Sequence, residues 1–80
     1  MSYNKDIMQI VLRRPEDLGT AIAEFRVASG LTQAELAAKV SLHRTYLSNI
    51  ERGEAPEFVR RYFALLEALG LHITITEAEP

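Results

Sequence analysis

Residues 31–53 read LTQAELAAKVSLHRTYLSNIERG, and two helix signals lie in them on either side of a very short break. The first opens at Thr32. A threonine hydroxyl there accepts from the backbone N–H three residues on, and Glu35 reaches back to the N–H of Thr32, the reciprocal pattern of a capping box. Leu36, Ala37 and Val40 recur as the inner face of this helix, and the small side chains of Ala34, Ala37 and Ala38 let another helix come close. Ser41-Leu42-His43 leaves room only for a tight turn. The second helix runs from about Arg44 to Arg52 and stops at Gly53, a residue suited to a helix C-terminus. At about 100° per residue, Tyr46, Leu47 and Ile50 fall on one side of it. Arg44, Thr45, Ser48, Asn49 and Arg52 fall on the other, with Glu51 at the boundary. The outward side is therefore rich in hydrogen-bonding groups and free of carboxylates.

Helical and extended signals continue on both sides of this unit. Pro15 suits a first helical turn, because its missing N–H would be unpaired there anyway. Glu16 and Asp17 then place negative charge at the positive end of the helix dipole. Leu18, Ala21, Ile22 and Phe25 make one apolar stripe, and Gly30 ends the helix. A fourth helix is predicted from about Glu57 to Leu69, with Phe58, Tyr62, Leu65, Leu66 and Leu69 as its core stripe. Tyr46, Phe58, Tyr62 and Phe63 are assigned to the core rather than to a base-stacking surface. After Gly70, residues 71–76 (LHITIT) alternate strictly and are rich in β-branched side chains, which favours a strand. Ile7–Leu12 is a short apolar run that reads equally as an arm or a strand. The chain thus divides into an arm or short strand at 1–12, a helical domain at 13–70 with its two-helix unit at about 32–52, and a strand and tail at 71–80.

A lone strand leaves its N–H and C=O groups without partners, and an exposed edge invites another chain. Antiparallel pairing with its own copy across a two-fold axis, through Leu71, Ile73 and Ile75, is the simplest solution. Pairing with Ile7–Leu12 of the same or another chain is the rival.

The 80 residues allow one domain, and a domain of this size gains from dimerisation. There is no cysteine, which excludes disulfides and thiolate metal sites, and His43 and His72 stand far apart with no carboxylate cluster to complete a metal site. No apolar run approaches the length of a membrane span, so a cytoplasmic protein is expected. No nucleophile–base motif and no glycine-rich phosphate loop is present, so neither an enzyme nor a cofactor is expected. The net charge of −2 argues against a simple nucleic-acid binder, though the placement of charge matters more than its sum.

Two short helices joined by a tight turn, the second with a polar outer side, are what a major groove admits. Arginine grips guanine O6 and N7 with two bonds, and asparagine does the same to adenine N6 and N7. The spacing of Thr32-Gln33, Leu36-Ala37, Leu47-Ser48, Ile50 and Glu51-Arg52-Gly53 closely resembles the phage-repressor-like (XRE or Cro/C1) helix-turn-helix family. RRPEDLGTAIAEFRVASG and ALGLHITIT on the flanks resemble the Hip-type antitoxins of that family. The resemblance covers roughly Arg13 to Thr76. It implies a mainly α, four-to-five-helix, lambda-repressor-like domain whose C-terminal strand pairs across a dimer.

The resemblance also implies roles. Arg44, Thr45, Ser48 and Asn49 match base-reading positions, with a merely solvated helix face as the plain alternative. Thr32 and Gln33 match positions that hold phosphate, and His43 and Arg52 match flanking phosphate contacts. Arg26 and Glu51 match a structural ion pair. The sequence departs from the family at Ser41, where a glycine usually accommodates a left-handed backbone, at a cost on the order of 1 kcal/mol. It also departs at His43, which replaces the usual serine or threonine cap. Glu54 and Glu57 stand in a loop that is often basic, and Arg60 and Arg61 are candidates to compensate. The expected function is a dimeric repressor on a palindromic operator, the autoregulating antitoxin of a Hip-type kinase toxin. A solo repressor and a protein-interaction module that no longer binds DNA are the alternatives.

Overall fold

A computed structural model describes residues 8–77. Ile7, the rest of the N-terminal arm and the last three residues lie outside the described residues. The element order is β1 (Gln9–Leu12), α1 (Pro15–Ala28), α2 (Gln33–Lys39), α3 (Arg44–Glu51), α4 (Glu57–Ala68) and β2 (Ile73–Thr76).

Local chemistry fixes the helix ends. Pro15 opens α1, and the backbone N–H groups of Arg13 and Arg14 donate to Asp17 Oδ2 at 2.9 and 3.0 Å. Those bonds hold the Asp17 carboxyl below the usual aspartate range. At the other end the chain turns through Gly30 with φ 75°, and the Ser29 hydroxyl donates back to the Phe25 carbonyl at 2.9 Å. The start of α2 is a complete capping box: Thr32 Oγ1 accepts from the Glu35 N–H at 3.1 Å, and Glu35 Oε1 accepts from the Thr32 N–H at 2.8 Å. Between α2 and α3, Ser41 has φ 58° and is the one non-glycine among the described residues with positive φ. This left-handed step separates two helices of seven and eight residues.

β2 finds its partner within the chain. It pairs antiparallel with β1, in the register Gln9↔Thr76, Ile10↔Ile75, Val11↔Thr74 and Leu12↔Ile73. Of the pairings the sequence allows, this is the one with the 7–12 run of the same chain, and it occupies one edge of β2. The reason is burial. Ile10, Leu12 and Ile75 share the sheet face that packs on the helices, and Leu12 is wholly buried in a cluster with Ala21 and Phe63. Leu18, Phe25 and Val59 close around it. Ala37 and Leu47 are buried as well, one on each helix of the two-helix unit.

One sequence reading of the core is corrected. Phe63 is buried, but Phe58, Tyr62, Leu65 and Leu69 are 61–72% exposed and Tyr46 is 56% exposed. Helix α4 meets the body through Val59, Phe63 and Leu66, a stripe rotated by about a quarter turn from the one the apolar pattern singles out. With apolar residues on two adjoining stripes, periodicity alone does not choose which of them faces inward.

A close crossing sets the position of α3. A Cβ on Gly19 of α1 would lie 1.9 Å from the Ile50 carbonyl oxygen, so only glycine permits this approach. The sequence signal for it is a glycine in the middle of a helical pattern, which otherwise costs about 1 kcal/mol relative to alanine.

Candidate nucleic-acid interface

The outward side of α3 is held in place by what its inward side grips. Leu47 is buried and Ile50 half-buried. Glu51, with its side chain 6% exposed, takes three hydrogen bonds on its carboxylate. Arg26 Nε donates to Oε2 at 2.7 Å, Arg26 Nη2 to Oε1 at 3.0 Å and Gln33 Nε2 to Oε1 at 3.0 Å. Arg26 Nη1 further donates to the Leu31 carbonyl at 2.8 Å. The guanidinium holds the Glu51 carboxyl below the usual glutamate range against the opposing effect of burial, and Glu51 in turn raises Arg26. One carboxylate thereby ties α1, the turn before α2, the first residue of α2 and the last residue of α3 together.

Gln33 belongs to this cluster, which sequence reasoning did not foresee. Its Nε2 faces Glu51, leaving its second amide hydrogen and its carbonyl oxygen for any other partner. Thr32 Oγ1 accepts the Glu35 N–H of the capping box, and its O–H is left to donate outward. His43 caps α3: its Nδ1 accepts from the Thr45 N–H at 3.1 Å. With Nδ1 as acceptor, the ring proton of the neutral side chain resides on Nε2, a free donor at the N-terminus of α3.

The structure brings Arg44, Thr45, Ser48, Asn49 and Arg52 onto the side of α3 turned away from Leu47 and Ile50. Arg44, Thr45 and Arg52 are exposed, and Ser48 and Asn49 are half-buried. Within this face Arg52 lies back along the helix. Its Nη1 donates to Ser48 Oγ at 2.9 Å and its Nη2 donates to Asn49 Oδ1. The Asn49 oxygen thus already accepts one bond, with a second lone pair and the amide nitrogen left for a further partner.

The two arginines of α4 part company. Arg60 lines a recess of about 440 Å³ with Tyr46, Asn49 and Glu54, beside the outward side of α3. Arg61 instead pairs with Glu57 of its own helix at 3.3 Å, both well exposed. Arg60 is therefore placed beside the candidate site and Arg61 is spent locally. Ile75 packs on the core, while Leu71 and Ile73 remain partly exposed away from this site.

A capped short helix, a left-handed turn and a second helix with a carboxylate-free outer side, locked by one buried ion pair, form a helix-turn-helix unit. The helix-turn-helix (XRE-type) family profile matches residues 22–75. The chain belongs to this family. It is 31% identical over 80 residues to Antitoxin HipB of Escherichia coli O6:H1, covering 99% of this chain and 85% of that protein. It is 31% identical over 65 residues to Antitoxin HipB of Escherichia coli K12, covering 81% and 74%. It is also 34% identical over 67 residues to the uncharacterized HTH-type transcriptional regulator y4dJ of Sinorhizobium fredii, covering 79% and 87%. No solved structure is a significant match. The helix-turn-helix protein is a DNA-binding regulator by family, and no described helix is long and apolar enough to cross a membrane.

Proposed function

We propose that the protein is a sequence-specific repressor that binds an inverted repeat as a homodimer in the cytoplasm, at the nucleoid. Helix α3 enters the major groove, and Arg44, Thr45, Ser48 and Asn49 read base edges. Thr32, Gln33, the His43 Nε2–H, Arg52 and Arg60 hold phosphates on either side, and Arg61 joins them once it leaves Glu57. The single observation that carries this reading is the outward side of α3: four adjacent hydrogen-bonding side chains with no carboxylate among them, on a helix fixed to the body through Glu51.

The test is fluorescence-anisotropy titration of the protein against DNA from upstream of its own gene, at two salt concentrations. Binding should weaken steeply with salt, since each phosphate contact releases counterions. The double variant Arg44→Ala/Asn49→Ala should lose on the order of 100-fold or more in specific affinity, each two-bond base contact being worth about 1–3 kcal/mol. Binding by the parent that is unchanged in the variant would remove these residues from the base-reading role.

The curated relatives named as antitoxins, matched over most of their length, favour an autoregulating antitoxin whose further partner is a Hip-type kinase toxin. Recovery of a kinase-like protein with the tagged protein from its own host tests that partnership. Its absence, with a DNA complex intact, would leave a solo repressor. A protein-interaction module without DNA binding is the second reading. It is favoured by Glu54 and Glu57 in the loop and helix start beside α3, and it wins if no salt-sensitive DNA complex forms.

A further inference from the structure

Arg52 is the C-cap of α3, and its side chain lies back over the outward side of that helix. Its Nη1 donates to Ser48 Oγ at 2.9 Å, four residues back, and its Nη2 to Asn49 Oδ1, three residues back. Its backbone N–H donates to the Ser48 and Asn49 carbonyls at 3.1 and 3.2 Å, so its starting point is fixed one turn from the side chains it holds. No carboxylate among the described residues pairs with it. We infer that Arg52 is a positioning residue: it sets how Ser48 and Asn49 meet a base edge, and it turns both toward guanine and away from adenine. The inference rests on the base reading proposed above and deepens it.

The argument starts from what each group has to give. An arginine has donors only, so the Asn49 amide must offer it the oxygen. The amide nitrogen, with both of its hydrogens, is then the end left for a base. Ser48 Oγ likewise accepts, and its O–H is left to donate. Each oxygen keeps a second lone pair, but that lone pair lies within a few ångströms of a full positive charge. The amino hydrogens of adenine N6 and cytosine N4 are partly positive and are opposed there. Guanine presents two acceptors in the major groove, O6 and N7, and no donor. It takes the Asn49 N–H and Ser48 O–H bonds without meeting that opposition, whereas thymine offers O4 alone. Bonds accepted from a cation also polarise the amide and the hydroxyl, which strengthens both as donors. The two-bond pairing of asparagine with adenine needs the amide oxygen to accept from N6, and that is the pairing this contact weakens.

A phosphate contact by Arg52 does not compete with this role. A guanidinium has five N–H donors, and the contacts to Ser48 and Asn49 use two of them. The others remain for a phosphate oxygen, so a backbone contact there would lock the orientation in place. A lysine would keep the charge and lose the planar fork that spans two oxygens at once.

The test is selection of binding sites from a randomised duplex DNA library by the full chain and by Asn49→Ala, Arg52→Lys and Arg52→Ala. Anisotropy titrations then follow on duplexes carrying each of the four bases at the position Asn49 reads, identified as the one whose preference Asn49→Ala abolishes. The wild type should prefer guanine over adenine there by about 10-fold, and both Arg52 variants should reduce that ratio to about 3-fold or less. Positions read by Arg44 should keep their preference, and Arg52→Lys should keep the salt dependence of the wild type. A role on phosphate alone predicts the reverse: the same selected sequence in both variants, with Arg52→Ala losing affinity uniformly and with a shallower salt slope. That result, or adenine at the Asn49 position of the wild-type site, would overturn the inference and leave the base reading standing. A wild type that enriches no sequence would sink the base reading itself, and this inference with it. A second measurement needs no DNA. Asparagine occurs only at positions 4 and 49, so the side-chain amide resonances of 15N-labelled asparagine separate Asn49 from Asn4. Arg52→Ala should shift the Asn49 pair and leave the Asn4 pair; an Asn49 pair that stays in place would remove the contact on which the inference stands.

Discussion

Gly19→Ala is the sharpest probe of how the body holds α3. In an exposed helix this substitution stabilises, because alanine gains about 1 kcal/mol of helix propensity over glycine. Here the new Cβ would sit 1.9 Å from the Ile50 carbonyl oxygen and 2.9 Å from its carbon. A carbon–oxygen contact settles at about 3.3 Å or more, so α1 and α3 must separate locally by roughly 1.4 Å. Neither atom is the end of a flexible side chain; both belong to helical backbone, which yields only as a rigid element. The separation would draw Arg26 away from Glu51, whose contacts at 2.7 and 3.0 Å have little slack. Overpacking of this kind costs about 1–3 kcal/mol and sometimes more, and here it is joined by strain on a buried ion pair. The net expectation is a destabilisation of about 2 kcal/mol, or a Tm lower by roughly 10 °C in a domain of this size. Thermal unfolding followed by circular dichroism at 222 nm reads it, with the exposed neighbour Thr20→Ala as control, which should leave Tm within a degree or two. An unchanged or higher Tm for Gly19→Ala would refute the close crossing and with it the account of how α3 is positioned.

Other substitutions test single links of the same structure. Ser41→Gly should raise Tm by about 2–4 °C: the left-handed φ of 58° costs serine about 1 kcal/mol or more, and the greater freedom of glycine in the unfolded chain returns part of that. A lower Tm would mean that the serine side chain makes a contact worth more than the strain. Thr32→Ala should cost about 1 kcal/mol through loss of the Glu35 N–H bond, read as a lower urea midpoint with unchanged slope. Glu51→Gln should lower stability at pH 7, because a neutral amide cannot pair with Arg26. The folded-state pKa of Glu51 is depressed, so its stabilisation is fully present above the ordinary glutamate value of 4.5 and is lost as pH falls through the folded value. The gap between wild type and Glu51→Gln in urea titrations should therefore be widest at neutral pH and shrink below pH 4.5; a gap independent of pH would deny the carboxylate its role.

The elements best legible in the sequence are those whose signals are local. Thr32 and Glu35 lie three residues apart and announce a cap that depends on nothing beyond themselves. Pro15, Gly30, Gly53 and Gly70 punctuate helices by their own backbone preferences. The pairing of Ile7–Leu12 with the C-terminal strand stayed undecided in the sequence because alternation fixes which side chains share a face, not which edge lies beside it; the shared burial of Leu12, Ile10 and Ile75 settles it in three dimensions. Helix α4 was misjudged for the opposite reason. Its sequence carries two apolar stripes, and the stronger one by residue size, Phe58-Tyr62-Leu65-Leu69, is the one left outside. Gln33 and Gly19 were missed because their roles exist only against residues 18 and 31 positions away.

The same distinction between sums and placement resolves the charge of the chain. A net charge of −2 counts eleven acidic residues as though each repelled DNA. Five of them are committed inside the protein: Glu16 to Arg14, Asp17 to the N–H groups that open α1, Glu35 to the cap of α2, Glu51 to Arg26 and Glu57 to Arg61. A carboxylate that accepts hydrogen bonds from a helix end or a guanidinium offsets its own field at a distance, because the partner's positive charge lies within a few ångströms. What an approaching phosphate meets on α3 is Arg44, Arg52 and neutral donors. Glu54, which forms no ion pair among the described residues, lines the same recess as Arg60 and Asn49. On the proposed reading, affinity for DNA should turn on the balance of Glu54 against Arg60 at one end of α3, so Glu54→Gln is expected to tighten salt-sensitive DNA binding and Arg60→Ala to weaken it, a local contest that the formal charge of the chain does not register.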